Sequence, residues 1–200
     1  MPRLMIIIAS TRPDRGGQPV AEWFIQRATD HDGFDLEVVD LAELKLPPLD
    51  EPHHPRLRRY TQRHTRRWSE QVDAADAFVF VTPEYNHGYP ASLKLAIDYL
   101  HHEWRYKPVG FVSYGGVAAG TRSVEQLQQV VTAVRLMPVI EQVNIPFYQQ
   151  FIDDNGVVQA NEVMEQAATA MLDQLLRWEA TLRPLKEEAA VSAPSSPGRG

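Results

Sequence analysis

The chain has 200 residues, a net charge of −6, 44% hydrophobic and 23% charged side chains, and no cysteine. That length can carry one sizeable core, and the acidic balance argues against a dedicated binder of nucleic acid or anionic membrane. Zero cysteine excludes disulfides, thiolate metal sites and cysteine nucleophiles in one step. No apolar run approaches the roughly 18 residues that cross a bilayer. The run after Arg3 is too short for a signal peptide. The composition therefore reads as a soluble cytoplasmic protein.

Leu4 to Ala9 predicts a first buried strand, followed by a polar loop from Ser10 to Gln18. Pro19 is expected to open a helix with Val20, Trp23, Phe24 and Ala28 on its core face. Phe34 to Asp40 alternates as a second strand. Pro47, Pro48, Pro52 and Pro55 make residues 43–57 an irregular loop of the kind that covers a site. Gln62 to Ala75 reads as a mostly polar helix with Trp68 and Val72 as its apolar positions. Phe78-Val79-Phe80-Val81 then suits a strand buried on both faces, stopped at Thr82-Pro83 because proline cannot donate a ladder hydrogen bond. Pro90 begins a helix carrying Leu93, Ile97 and Leu100.

Val109 to Val112 predicts a fourth strand, and Val124, Leu127, Val131 and Val134 mark the helix after it. Pro138 to Val143 reads as a fifth strand, with Ile145 to Gly156 as a loop. Asn161 to Leu182 reads as a last helix with a stripe of Val163, Ala167, Met171, Leu175 and Trp178. From Glu187 the composition turns to Ser, Pro and Gly. One domain over residues 1–185 and a disordered tail over 186–200 are expected. Strands alternating with helices give an α/β, flavodoxin-like three-layer sandwich with a five-stranded parallel sheet of order 2-1-3-4-5.

In that order strands 1, 3 and 4 are neighbours, and their following loops share one edge. The first, with Ser10, Thr11, Arg12, Arg15, Gly17 and Gln18 before a helix, combines hydroxyls, guanidiniums and glycines as a phosphate cradle does. It has neither P-loop nor G-x-G-x-x-G spacing, which disfavours nucleotide hydrolysis and a standard dinucleotide fingerprint. The second, Pro83, Glu84, Tyr85 and Asn86, offers amides and a tyrosine face to a flat ring. In the third, Ser113, Gly115 and Gly116 let a backbone approach closely. Each alone also reads as an ordinary turn; together they describe a flavin mononucleotide (FMN) site.

At S-T-R-x-x-R (Ser10 to Arg15), P-E-Y-N (Pro83 to Asn86), P-x-x-L-K-x-A-I-D (Pro90 to Asp98) and S-Y-G-G (Ser113 to Gly116) the chain resembles the NADPH-dependent FMN reductase family. The resemblance spans about residues 3–180. Ala9, Leu95 and Arg15 stand where such proteins often have Gly, Asn and Ser. It implies FMN with its phosphate in the first loop and its ring against the other two, and NADPH or NADH as cosubstrate. Hydride would pass through the flavin to a free flavin, quinone or similar small acceptor with ping-pong kinetics. No catalytic side chain is implied, since the flavin carries the chemistry. The alternative is an FMN-binding electron carrier reduced by a partner protein.

Adjacent pairs His53-His54 and His101-His102 lack metal-site spacing, so no metal is expected. The arginines at 56, 58, 59, 66 and 67 read as a solvated face or as a contact for the NADPH 2′-phosphate. Leu95, Tyr99 and His102, followed by Trp104, form a second apolar stripe on the central helix. That stripe predicts a homodimer or tetramer. An open flavin face would admit nicotinamide and then acceptor, and the sequence leaves open whether the 47–57 loop acts as its lid.

Overall fold

The computed structural model describes residues 1–191. Strands β1 (Arg3–Ile8), β2 (Asp35–Asp40), β3 (Ala77–Pro83) and β4 (Pro108–Gly115) pair in parallel, and the sheet order is 2-1-3-4-5 as predicted. The fifth strand is broken in two. Met137–Pro138 (β5) pairs with Pro108 and Val109, and Val143–Pro146 (β6) pairs with Val112 to Gly115. Pro138 has no N–H to continue the ladder, and Ile140 leaves the edge with 88% of its surface exposed.

Alternation along the buried strands divides the core. Leu4, Ile6, Ile8, Val79 and Val81 face α1 (Gly17–His31) and α6 (Glu162–Val191). Met5, Ile7, Phe78 and Phe80 face α3 (Arg63–Ala74), α4 (Ala91–Asp98) and α5 (Thr121–Ala133). All seven residues of β3 are buried, which explains its unbroken apolar run. The described helices include none long and apolar enough to cross a membrane.

Several expected boundaries shift. α1 begins at Gly17, two residues before Pro19, and a one-turn helix, α2 (Leu41–Leu44), caps β2. On α6 the true core face is Met164, Ala168, Met171, Leu172 and Leu175. Val163 is 74% exposed and Trp178 39%. The expected stripe advanced by fours, and each such step overshoots the helical turn by about 40°. α6 also continues through Val191, past the point where a tail was expected; Lys186 ties it to Asp76 at 2.6 Å. Positions 192–200 lie outside the described residues.

Two members of the second stripe near α4 are covered within the chain, while Leu95 and His102 stay partly exposed. Tyr99 and Trp104 are completely buried, and Trp104 sits among the rings of Trp68, Phe78 and Phe80 at 5.0–6.4 Å. The loop before α3 explains the burial of Tyr99, whose hydroxyl donates to Pro47 O at 3.0 Å. Glu51 accepts hydrogen bonds from the Thr61 and Gln62 amides, and His102 Nε2 meets Arg56 O at 2.7 Å. These anchors lay the loop along the outside of α3 and α4. Its Pro55–Leu57 turn reaches the segment after α4, at the end of the sheet away from the strands' carboxyl edge.

Candidate functional site

Parallel strands end at one edge, and there the loops after β1, β3 and β4 meet. β1 continues its ladder one residue beyond its end, Ala9 N–H donating to Val81 O at 3.0 Å. This carries Ser10 inward, fully buried, with its Oγ 2.6 Å from the Tyr85 hydroxyl. Ser92, in the first turn of α4, donates to Ala9 O at 2.6 Å and holds the same turn from the other side. Thr11, Arg12 and Gln18 are exposed, and the Arg12 guanidinium stands 6.0 Å from the centre of the Tyr85 ring. The first and second expected loops are thus joined through Ser10, Arg12 and Tyr85.

Arg15 points elsewhere. Its guanidinium forms an ion pair with Asp40, whose other oxygen accepts from Ala42 N–H and caps α2. Gln18 bonds to Glu22 along α1 at 3.1 Å.

The start of α1 suits an anion. No acidic residue lies in its first turn, and the first amides of any helix lack internal partners. Two tyrosines crowd it. A Cβ on Gly17 would fall 2.2 Å from Tyr114 Oη, and one on Gly16 would fall 2.0 Å from the Tyr148 ring. Glycine is required there so that both rings can close on the helix end. The two rings stack edge to face at 5.0 Å. Burial first, then the neighbouring Tyr85, pushes the Tyr114 hydroxyl well above the ordinary tyrosine range. It keeps its proton and faces any bound anion as a donor.

The second loop is a two-residue turn. Tyr85 N–H donates to Gly88 O at 2.8 Å and Gly88 N–H to Tyr85 O at 3.0 Å. The central Asn86 and His87 both have positive φ, 50° and 69°, as a type I′ turn requires. α5 secures it: Arg122 Nε donates to Glu84 at 2.6 Å and Gln126 Nε2 to His87 O at 2.8 Å. Glu84 Oε2 is buried and without a hydrogen-bond partner. Asn86 is exposed above the turn.

In the third loop Ser113 Oγ lies 2.8 Å from both Ala119 O and Asn144 Oδ1, which fastens the strand end to α5 and β6. Gly120 takes φ 82°, and a side chain there would press on Ser113 and Tyr114. Gly115 is closed over by Gly120 N, whereas a Cβ on Gly116 would meet nothing within 4 Å. Phe147 N–H reaches Gly116 O at 3.3 Å from a backbone with φ 46°, leaving its ring 52% exposed beside this opening. On the α4 side, Thr11, Leu41, Leu44, Leu46, Ser92 and Leu95 line a cavity of about 270 Å³.

Sequence reasoning named the three loops but missed Tyr148, Asn144, Ser92 and Arg122. Ser92 stands at a variable position of P-x-x-L-K-x-A-I-D, and the other three lie in no recognisable motif. Each enters because β6, α4 or α5 ends beside the loops.

The edge therefore offers a helix start free of acid, a guanidinium, a protonated phenol and an open glycine backbone, which together fit a phosphate-bearing planar ligand. Residues 2–150 match the family of NADPH-dependent FMN reductases. An NAD(P)H-dependent FMN reductase of Schizosaccharomyces pombe is 40% identical over 149 residues, covering 72% of this chain and 74% of that protein. An FMN-dependent NADPH-azoreductase of Staphylococcus saprophyticus is 26% identical over 178 residues, 87% of this chain and 93% of that one. In structure the chain is similar to the flavoenzyme NAD(P)H:(acceptor) oxidoreductase of Paracoccus denitrificans (TM-score 0.71, 20% identity, 90% of this chain and 98% of that one), a likeness of fold. The chain belongs to the NADPH-dependent FMN reductase family, as an oxidoreductase with FMN as its cofactor and NAD(P)H as its cosubstrate.

Proposed function

We propose that this chain passes reducing equivalents from NAD(P)H to a small, flat acceptor such as a free flavin or a quinone, with no catalytic side chain of its own. The observation that carries this reading is the meeting of the three loops, tied by Ser10–Tyr85, Arg12–Tyr85 and Tyr114–Gly17 at one open edge. Bound FMN supplies the hydride chemistry. Thr11, Arg12 and the first turn of α1 at Gly17 and Gln18 hold the phosphate, with Tyr114 as donor. Ser10 and Arg15 act one step back: Ser10 orients Tyr85, and Arg15, through Asp40, braces the loop. Pro83, Glu84, Tyr85 and Asn86 flank the ring on one side and Ser113, Gly115 and Gly116 on the other. The Gly115 and Gly116 amides would lend partial positive charge to the edge of a ring held there. The open space at Gly116, beside Phe147, is where nicotinamide and then acceptor would enter.

Anaerobic addition of NADPH to FMN-loaded protein tests this directly. Flavin absorbance should bleach within seconds and return on adding menadione. Bands that persist would replace this reading with the second one, an electron carrier reduced by a partner protein. Arg12→Ala should weaken FMN binding about tenfold, the scale of one charge-assisted contact to phosphate. Unchanged affinity by fluorescence titration would remove Arg12 from the cradle.

A further inference from the structure

The amino edge of the sheet, opposite the flavin loops, gathers cations without matching acids. After α4 the chain runs His101, His102, Glu103, Trp104, Arg105 and Tyr106 before β4 begins at Pro108. The His101 and His102 rings lie 5.3 Å apart, edge to face. His102 Nε2 meets Arg56 O at 2.7 Å, and His54 Nδ1 accepts from Arg56 N–H at 3.1 Å. Arg105 N–H donates to His102 O at 3.2 Å, and Tyr106 N–H to Arg135 O at 2.8 Å. The Arg135 guanidinium bonds to the Tyr106 hydroxyl at 2.7 Å and sits 5.8 Å from its ring centre. Three segments distant in sequence thus bring His54, Arg56, His101, His102, Arg105 and Arg135 together.

The local carboxylates are already committed. Glu103 is fully buried and accepts from Tyr60, Ser69 and the His101 amide, with Arg58 at 3.2 Å. Asp73 pairs with Arg58 at 3.4 Å. Among the described residues none brings a carboxylate within ion-pair distance of Arg56, Arg105 or Arg135. Two groups in the cluster lack partners. His101 is only 7% exposed, and its ring has no hydrogen-bond partner among the described residues. Arg105 Nε is buried and likewise unpartnered. Crowding shows in the chemistry. Burial first, then Arg105, Arg56, His102 and His54, pulls His101 down to about 4. Burial first, then Arg135, with Arg56 and Arg58 further down, lowers Arg105. A chain with net charge −6 that concentrates cations in this way holds them in a relation that an added anion would relieve.

We propose that this cluster is a second anion site, separate from the flavin cradle, and that it takes a compact, multiply charged phosphoryl group. The guanidiniums of Arg105 and the exposed Arg56 offer paired donors that match phosphate oxygens, Arg135 adds the donors it does not spend on Tyr106, and the unpartnered His101 ring adds one more. The Arg66–Arg67 pair of the basic stretch is not part of it: Arg66 is spent on the Tyr60 and Thr61 carbonyls at 3.0 and 2.9 Å.

Inorganic pyrophosphate titrated into FMN-saturated protein, so that the cradle is filled, tests the site by calorimetry. Saturable binding that weakens at least about tenfold in an Arg105→Ala/Arg135→Ala variant, and steeply with salt, is expected. The His101 ring protons, followed by NMR, should titrate at higher pH once pyrophosphate is bound, a change that a merely structural role would not produce. Exposed Arg56→Ala provides a second variant should the double one fold poorly. Absence of saturable binding, or equal binding by wild type and both variants, overturns the site. So does loss of self-association in the variants without any pyrophosphate heat, which would assign these arginines to the carboxylates of a second copy.

Discussion

At the carboxyl edge of the strands Thr11, Arg12, Asn86 and His87 face solvent, Glu84 leaves an oxygen unpartnered, and Asn86, His87, Ala119, Gly120 and Phe147 adopt positive φ. At the amino edge Glu103 and Lys107 are almost wholly buried and their hydrogen bonds are made. Lys107 donates to the Val72 and Asp73 carbonyls at 2.7 and 3.0 Å at the carboxyl end of α3, where Val72 O also accepts from Ala75 N–H. One edge leaves its polar loop side chains to solvent; the other buries Glu103 and Lys107 with their hydrogen bonds made, although Arg58, Tyr106 and Arg135 there also have positive φ. The difference teaches where the fold draws stability and where it leaves binding capacity. The cation cluster around His101 is the exception within the stable edge, and for that reason it is informative.

Lys107 gives the largest expected separation of the two edges. Burial, with Lys186 beside it, pulls Lys107 from 10.5 down to about 7. Between those values the unfolded chain holds a proton that the folded chain has released. Stability therefore rises with pH across that window and falls back toward pH 7. Urea unfolding should show wild type gaining roughly 3 kcal/mol between pH 7 and 10 relative to Lys107→Met, whose difference curve lacks the rise. Equal pH dependence in the two proteins would mean that Lys107 stays charged in place.

Removing Glu103 should cost about as much. Glu103→Ala strands Tyr60, Ser69 and part of Arg58 and should destabilise the chain by about 3 kcal/mol, while the folded fraction keeps its FMN affinity. A matched loss of FMN affinity would break the division between the edges.

Gly17→Ala should do the reverse. Its methyl group displaces Tyr114 and should raise the FMN dissociation constant about tenfold, roughly 1.4 kcal/mol, with little effect on unfolding. Tyr114→Phe removes both a phosphate donor and the colliding oxygen, so it should cost less FMN affinity in the Gly17→Ala background than in wild type. An equal cost in both backgrounds would mean that the glycine matters for its backbone and not for the approach of Tyr114.

Legibility followed the range of the interaction. The central unit of β3, turn and α4 was readable because Phe78 to Val81, Pro83 and Pro90 encode their roles within a few neighbours. The buried stripe of α1 was readable for the same reason. The split of the fifth strand was not, since it depends on which part of β4 each half can reach. Tyr99 and Trp104 misled in an instructive way: two apolar positions off the main stripe suggested a partner, yet the 47–50 segment and the Trp68, Phe78 and Phe80 rings cover them within the chain.

By itself the sequence determined the alternation of strands and helices, the parallel order, and the three loops that gather at one edge. These rest on periodicity, proline and glycine, all local properties. Tertiary structure alone decided that Arg15 pairs with Asp40, that Tyr114 and Tyr148 close over the start of α1, and that the chain at Arg56 and at Arg135 meets the 101–106 segment. Electrostatic partners and ring contacts fall off over a few ångströms, so they depend on which distant segments folding brings side by side.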